Sequence, residues 1–150
     1  MRPKALVSDF DGTLIEPFFT QFLNLSFLRA VFGGIFSHLP APLQKRLIKT
    51  TKWLKIAKEY QEGGAELFLV TARKESERSR QRLKFLLKSI GLEINSKNIF
   101  MRPPDCNAIE HKKNTIAKIT EKYEILGILE DEERFHSVLR RFGPILNDRF

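Results

Sequence analysis

Short apolar runs alternate along this chain with longer stretches of helical period. Lys4 to Ser8 (KALVS) is apolar and is followed at once by carboxylates and a glycine, which predicts a buried strand ending in a loop. Glu66 to Val70 (ELFLV), Asn98 to Met101 and Ile125 to Leu129 (ILGIL) predict three more strands, and Pro144 to Leu146 a short last one. From Pro17 to Tyr60 the pattern is helical. Leu23, Phe27 and Leu28 share one face, and Leu43, Leu47, Ile48, Leu54, Ile56 and Ala57 form the apolar set of a second helix. Gly33-Gly34 and Pro40-Ala41-Pro42 punctuate this region, and Gly63-Gly64 stops it. Glu75 to Ile90 reads as a strongly charged helix with Leu83, Leu86, Leu87 and Ile90 inward, closed by Gly91. Asn114 to Tyr123 and Glu132 to Phe142 read as the remaining helices. There is no internal repeat, low-complexity segment or linker, so residues 1–150 are expected to form one domain.

Strands alternating with helices predict an α/β fold of three layers, a Rossmann-like parallel sheet covered on both faces. In such sheets ligands bind at the carboxyl ends of the strands. The polar clusters fall at those ends: Asp9 and Asp11 after the first strand, Thr71 and Arg73 after the second, Glu130 and Asp131 after the fourth. Three separate strands thus deliver polar residues to one edge.

The run Asp9-Phe10-Asp11-Gly12-Thr13 behind a hydrophobic strand resembles the first motif of the haloacid dehalogenase-like superfamily, in its phosphotransferase branch. Leu69-Val70-Thr71-Ala72-Arg73 resembles the second motif, a strand ending in Thr or Ser. The third is a lysine near the start of a later helix, for which Lys112 and Lys113 compete; Lys112 is favoured because Ile116 and Ile119 follow it at helical spacing. Leu129-Glu130-Asp131 resembles the fourth, an acidic pair after a strand. All four stand in the family's order and together cover nearly the whole chain.

The resemblance implies a Mg²⁺-dependent phosphatase that hydrolyses a phosphomonoester through an aspartyl phosphate. It assigns attack on phosphorus to Asp9 and general acid–base work to Asp11. It gives the metal to Asp9, the Asp11 main-chain carbonyl and Asp131, with Glu130 orienting a metal-bound water. Thr71 and Lys112 complete the catalytic set, while Gly12, Thr13, Ala72, Arg73 and Lys113 are expected around the substrate. Charge supports the cation independently. Up to four carboxylates beside a dianionic phosphate would repel it, and a hard divalent ion with oxygen ligands removes much of that repulsion. The family also implies strands in the spatial order 5-4-1-2-3 and a cap placed after the first motif, here a small helical insertion at about residues 17–50. Its Phe-rich part (Phe18, Phe19, Phe22, Phe27, Phe32, Phe36) could serve equally as a homodimer surface.

Composition narrows the alternatives. The net charge of +8 suits a polyanionic or phosphorylated partner. Phosphorylated small molecules are the default substrate. A nucleic-acid end is a second class, since Ile99 to Asp105 resembles the phosphatase half of polynucleotide kinase-phosphatases. Phosphoryl transfer in a mutase and a non-catalytic binding role are the other readings. Dehalogenase chemistry is disfavoured because that branch lacks the second aspartate. Cys106 is the single cysteine, which excludes an internal disulfide and suits a reducing, cytoplasmic setting. His111 is read as a surface residue. The stretch Phe18 to Phe36 is interrupted by Gln21, Asn24, Ser26 and Arg29, so no transmembrane segment is expected.

Overall fold

The computed structural model describes residues 1–17, 35 and 38–149. Strand β1 (Lys4–Ser8) is exposed only at Lys4 and buried from Ala5 onward. It is central: β4 (Glu66–Lys74) pairs with it on one side and β6 (Glu124–Leu129) on the other, both parallel. With β5 (Ile99–Arg102) beyond β4, the sheet runs β5-β4-β1-β6. Ile145 bridges Ile128 in parallel, so the expected fifth strand is a single bridge followed by a 3-10 turn over Leu146–Arg149. The family's spatial order is thereby kept.

Side chains alternate across a strand, and the two cores follow that period. On one face Leu6, Leu67 and Leu69 pack with Leu54 and Ala57 of α2 (Lys52–Glu62) and with Leu83, Leu86 and Leu87 of α3 (Glu77–Ser89). On the other face Ala5, Val7, Phe68 and Val70 meet Ile116 and Ile119 of α4 (Ala108–Lys122) and Phe135 and Leu139 of α5 (Glu133–Leu139). The result is the three-layer α/β fold expected from the sequence. Each fully buried Leu or Ile contributes roughly 1.5–3 kcal/mol, so Leu6→Ala at the sheet centre would cost about 2–5 kcal/mol.

The helix boundaries have local causes. Ser76 caps α3 by accepting from the Ser79 N–H at 3.1 Å, and Gly91, at φ 69°, turns the chain after its end. Asn107 caps α4 by accepting from the Glu110 N–H at 2.9 Å. That cap starts α4 six residues before the expected Asn114, which moves Lys112 and Lys113 from a helix entrance into its second turn.

The helical expectation from Pro17 to Tyr60 holds at its end, where α2 runs over Lys52–Glu62, and is corrected at its start and at Ile48–Thr50. β2 (Ile15–Pro17) and β3 (Ile48–Thr50) form an antiparallel ribbon, with Ile15 opposite Thr50 and Pro17 opposite Ile48. The β-branched residues Ile48 and Thr50 favour a strand, and Thr51 then caps α2. The ribbon brackets the insertion read as a cap, of which α1 (Ala41–Leu47) is described and packs beside α3. Residues 18–34, 36 and 37 of that stretch, and with them every Phe of the expected dimer surface, lie outside the described residues. Among the described residues no helix is long and apolar enough to cross a membrane.

Candidate active site

β1 ends at Ser8, whose buried hydroxyl donates to the Asp9 carbonyl at 2.7 Å, while the Asp9 N–H donates to Leu129 O at 2.9 Å. These bonds hold Asp9 at the carboxyl end of the central strand, 6% exposed. Lys112 reaches the same point from α4. Its ammonium lies 3.2 Å from Asp9 Oδ1 and donates to Glu130 Oε2, and the side chain is almost wholly buried. It also sits 4.1 Å from the centroid of the Phe135 ring, which favours the cation. Lys113 is exposed on the same helix.

Carboxylate oxygens of Asp9, Glu130 and Asp131 lie within 4.8 Å of one another. Three carboxylates against one ammonium leave two negative charges uncompensated, the charge of one divalent ion. Glu130 has both oxygens engaged, Oε2 by Lys112 and Oε1 by the Glu132 N–H at 3.1 Å. Asp9 Oδ2 accepts no hydrogen bond from the described residues, and exposed Asp131 accepts from the Thr13 hydroxyl at 3.0 Å. The donors left over are hard oxygens, and the set fits Mg²⁺.

Electrostatics carries the mark of this crowding. Burial pushes the Asp9 carboxyl well above the usual carboxylate range; Lys112 pulls it back, and Glu130, Asp131 and Asp11 push it up further. Burial raises Glu130 as well, against the pull of Lys112. For Lys112 burial favours the neutral form, but Asp9 and Glu130 outweigh it and hold the ammonium charged far above neutrality.

The turn after β1 is built for Asp131. Gly12 adopts φ 79°, and a Cβ there would overlap the Asp131 carboxylate. Thr13 is fully buried; its hydroxyl donates to Asp131 Oδ1 and accepts from the Asp131 N–H at 3.2 Å. Both Gly12 and Thr13, expected around the substrate, therefore touch the acidic pair.

Asp11 faces a different partner. Arg73 Nε donates to its Oδ2 and Nη2 to its Oδ1, each at 2.7 Å, a bidentate clamp across 62 positions of sequence. A bulge makes this reach possible: β4 pairs Thr71 with Met101 and next Lys74 with Arg102, leaving Ala72 and Arg73 out of register. Arg102 Nε holds the bulge by donating to Ala72 O at 3.0 Å. Arg73 stacks near Phe10, its Cζ 5.2 Å from the ring centroid. Its guanidinium side chain is 7% exposed and that of Asp11 40%. Burial works against the Arg73 charge, but Asp11 and, more weakly, Asp9 raise its pKa. Thr71 is buried, and its oxygen accepts from the Arg73 N–H at 3.2 Å.

Four supporting residues carry no sequence signal. Asn147 Oδ1 accepts from the Glu130 N–H at 2.9 Å, and His136 Nε2 meets Glu130 O at 2.7 Å. Because a carbonyl only accepts, that imidazole carries its proton on Nε2. Thr51 donates to Thr13 O, and Arg102 secures the bulge. His111 is buried rather than on the surface, 3.3 Å from Phe100 O, and burial lowers its pKa.

No family model matches this chain, and no curated protein is similar enough to be matched. Solved structures do match. Two are chains of the Pnkp1/Rnl/Hen1 RNA repair complex, at TM-scores of 0.67 and 0.63, each 18% identical. Each covers 97% of this chain, but only 42% and 45% of the other. A third is a class C acid phosphatase from Bacillus anthracis with tungstate bound, at TM-score 0.60 and 12% identity, covering 94% of this chain and 62% of that one. At these identities the likeness lies in the fold, and this chain spans less than half the length of the RNA repair chains. The fold is the Rossmann-like α/β core that the motif resemblance implies.

Proposed function

We propose that this chain is a Mg²⁺-dependent phosphatase of the haloacid dehalogenase-like type. The observation that carries the reading is the buried Lys112 ammonium bridging Asp9 and Glu130 at the end of the central strand. A strand-end carboxylate held by a cation is oriented for in-line attack, and the lysine draws charge from the phosphoryl oxygens. In the first step Asp9 forms a bond to phosphorus, the bond from phosphorus to the ester oxygen breaks, and Asp11 in its acid form gives that oxygen its proton. In the second step water attacks phosphorus, Asp11 takes the proton, and the Asp9–phosphate bond breaks. Mg²⁺ would be held by Asp9, Asp131 and the Asp11 carbonyl, and would offset phosphate charge. Glu130, fixed by Lys112, is suited to positioning rather than to direct ligation. Thr71 offers its hydroxyl to the phosphoryl group.

Arg73 takes a role beyond substrate contact. Its clamp occupies both Asp11 oxygens, so it orients the acid–base residue and must loosen when Asp11 moves a proton. The cytoplasm, with its reduced thiols, is the setting that the single cysteine favours.

The test is phosphate release from an aryl phosphate with Mg²⁺, with chelator, and from Asp9→Asn. Turnover that needs the metal and vanishes in the variant supports the reading; undiminished turnover in Asp9→Asn would overturn it. A second reading, action on the phosphorylated end of a nucleic acid, is favoured by the match along 97% of this chain to an RNA repair complex.

A further inference from the structure

α3 departs from the site and crosses the whole sheet. It begins just after Arg73 and Lys74 at the carboxyl edge, and its thirteen residues span roughly 20 Å to the opposite edge. Its buried side chains, Leu83, Leu86 and Leu87, fix which face points outward. On that outward face, at 100° per residue, fall the exposed Arg78, Gln81, Lys84, Phe85 and Lys88. Five of the chain's cations lie on α3 against one acid, Glu77. Arg80 is not part of the outward set, because Glu75 holds it at 2.9 and 2.6 Å. Phe85 stands among the charges, 42% exposed, one of the few large apolar side chains open to solvent among the described residues.

The far end of this face opens into a groove of about 600 Å³. Lys84 and Lys88 line it, with Gln61, Asn95 and Ser96 as hydrogen-bonding groups and Glu93 as its one acid. A row of cations, an exposed aromatic and a groove that sets Leu92 and Ile94 beside two lysines are the parts that hold a single strand: charge follows the phosphates, and the ring and the apolar groove wall take the bases. An anionic membrane fits less well, since insertion needs several apolar side chains and this face offers one.

We propose that the outward face of α3, with the groove at its C-terminal end, is a binding track for single-stranded nucleic acid whose terminal phosphate lies at Asp9. The proposal rests on the phosphatase reading for the position of the strand's end, and on the surface alone for the track. About 20 Å of helix accommodates a few nucleotides, so affinity should rise from a mononucleotide to a short oligomer and then level off.

The test uses the whole chain and a fluorescent single strand of about 12 nucleotides with a terminal phosphate. Binding is read by anisotropy in chelator, across a salt series, for the native chain, the Lys84→Ala/Lys88→Ala double variant and Phe85→Ala. Neutralising three phosphates, one each for Arg78, Lys84 and Lys88, gives a log–log salt slope of about −2.1, and the double variant should lose about 1.4 of it. Phe85→Ala should weaken binding by about fivefold or more with the slope unchanged. In turnover assays both variants should keep the native rate on an aryl phosphate, and the double variant should raise KM for the oligonucleotide at least tenfold. Equal slopes in native and double-variant chains overturn the track, as does binding to phosphatidylserine vesicles without binding to the strand. Should no phosphate ester be hydrolysed, the phosphatase reading fails while the anisotropy result still decides the track.

Discussion

Lys112→Met removes the ammonium from between Asp9 and Glu130 and keeps much of its stem. The two carboxyls, 6% and 2% exposed, then face each other with Asp131 nearby and no cation. Removing one partner of a buried ion pair costs about 3–5 kcal/mol because a charge is left uncompensated. For a chain of this size each kcal/mol lowers Tm by roughly 2–4 °C, so in chelator at neutral pH the variant should melt about 6–20 °C below the native chain. The pH dependence has a sign. Asp9 and Glu130 titrate higher folded than unfolded, so their protonated forms favour the fold. That contribution is complete below the unfolded carboxylate range and is lost as pH rises through the folded values. Lys112 pulls both values down, so its removal raises them and enlarges the loss at neutral pH. The gap in Tm should therefore narrow from about pH 8 to about pH 5 as the carboxyls protonate. Adding Glu130→Gln should recover part of the stability, and a double-mutant cycle reads the coupling between the two positions. Thermal melts by circular dichroism with chelator, at several pH values, supply every number. A gap below about 1 kcal/mol, or one that does not change with pH, would refute the account of a buried cation holding two carboxylates.

Three further outcomes follow from the same geometry. Mg²⁺ should raise Tm at pH about 7.5 and do so progressively less toward pH about 5, because protons compete with it for carboxyls whose pKa burial raises; calorimetric titration at both pH values checks it, and equal affinity at the two would count against Asp9 as a ligand. Gly12→Ala should cost about 1–3 kcal/mol through its positive φ and its overlap with Asp131, and should weaken Mg²⁺ binding in the same calorimetric experiment. Arg73→Lys keeps the charge but loses the two-pronged hold on Asp11; kcat for an aryl phosphate should fall about 10–100-fold with the Tm response to Mg²⁺ kept, and an unchanged kcat would remove Arg73 from any part in positioning Asp11.

The fold was legible where pattern and chemistry coincide. A central strand buried on both faces needs an apolar middle, and Ala5 to Val7, Leu67 to Val70 and Ile125 to Leu129 supply it; the polar residues behind them, Asp9 and Asp11, Thr71 and Arg73, and Glu130 and Asp131, mark the carboxyl edge. The β2–β3 ribbon was not legible, because three residues per strand are too few to establish a period of two, and Ile48 fits a helical stripe equally well. The start of α4 was misjudged because its first turns read as surface. His111 and Lys112 stand beside Lys113 and Asn114, yet the first two are buried. A charged residue in a polar run is exposed by default, and only a tertiary partner, here the Asp9–Glu130 pair, overrides that default.

The same distinction divides the site. Asp9, Asp11, Glu130 and Asp131 are recognisable because the proposed phosphatase chemistry needs those residue types at strand ends. The residues that hold them are chosen by position instead. Asn147 serves Glu130 because the last bridge brings it beside β6, and Thr51 serves Thr13 because the ribbon returns there. Arg73 belongs to both groups: its place behind Thr71 is readable, but its grip on Asp11 depends on a bulge of two residues that no local propensity announces. Hence a substitution that removes the bulge, such as Arg102→Ala at its anchoring bond, should mimic Arg73→Lys in kcat although residue 102 touches neither carboxylate. If Arg102→Ala instead lowers Tm with kcat intact, the bulge supports the sheet edge and the clamp forms without it.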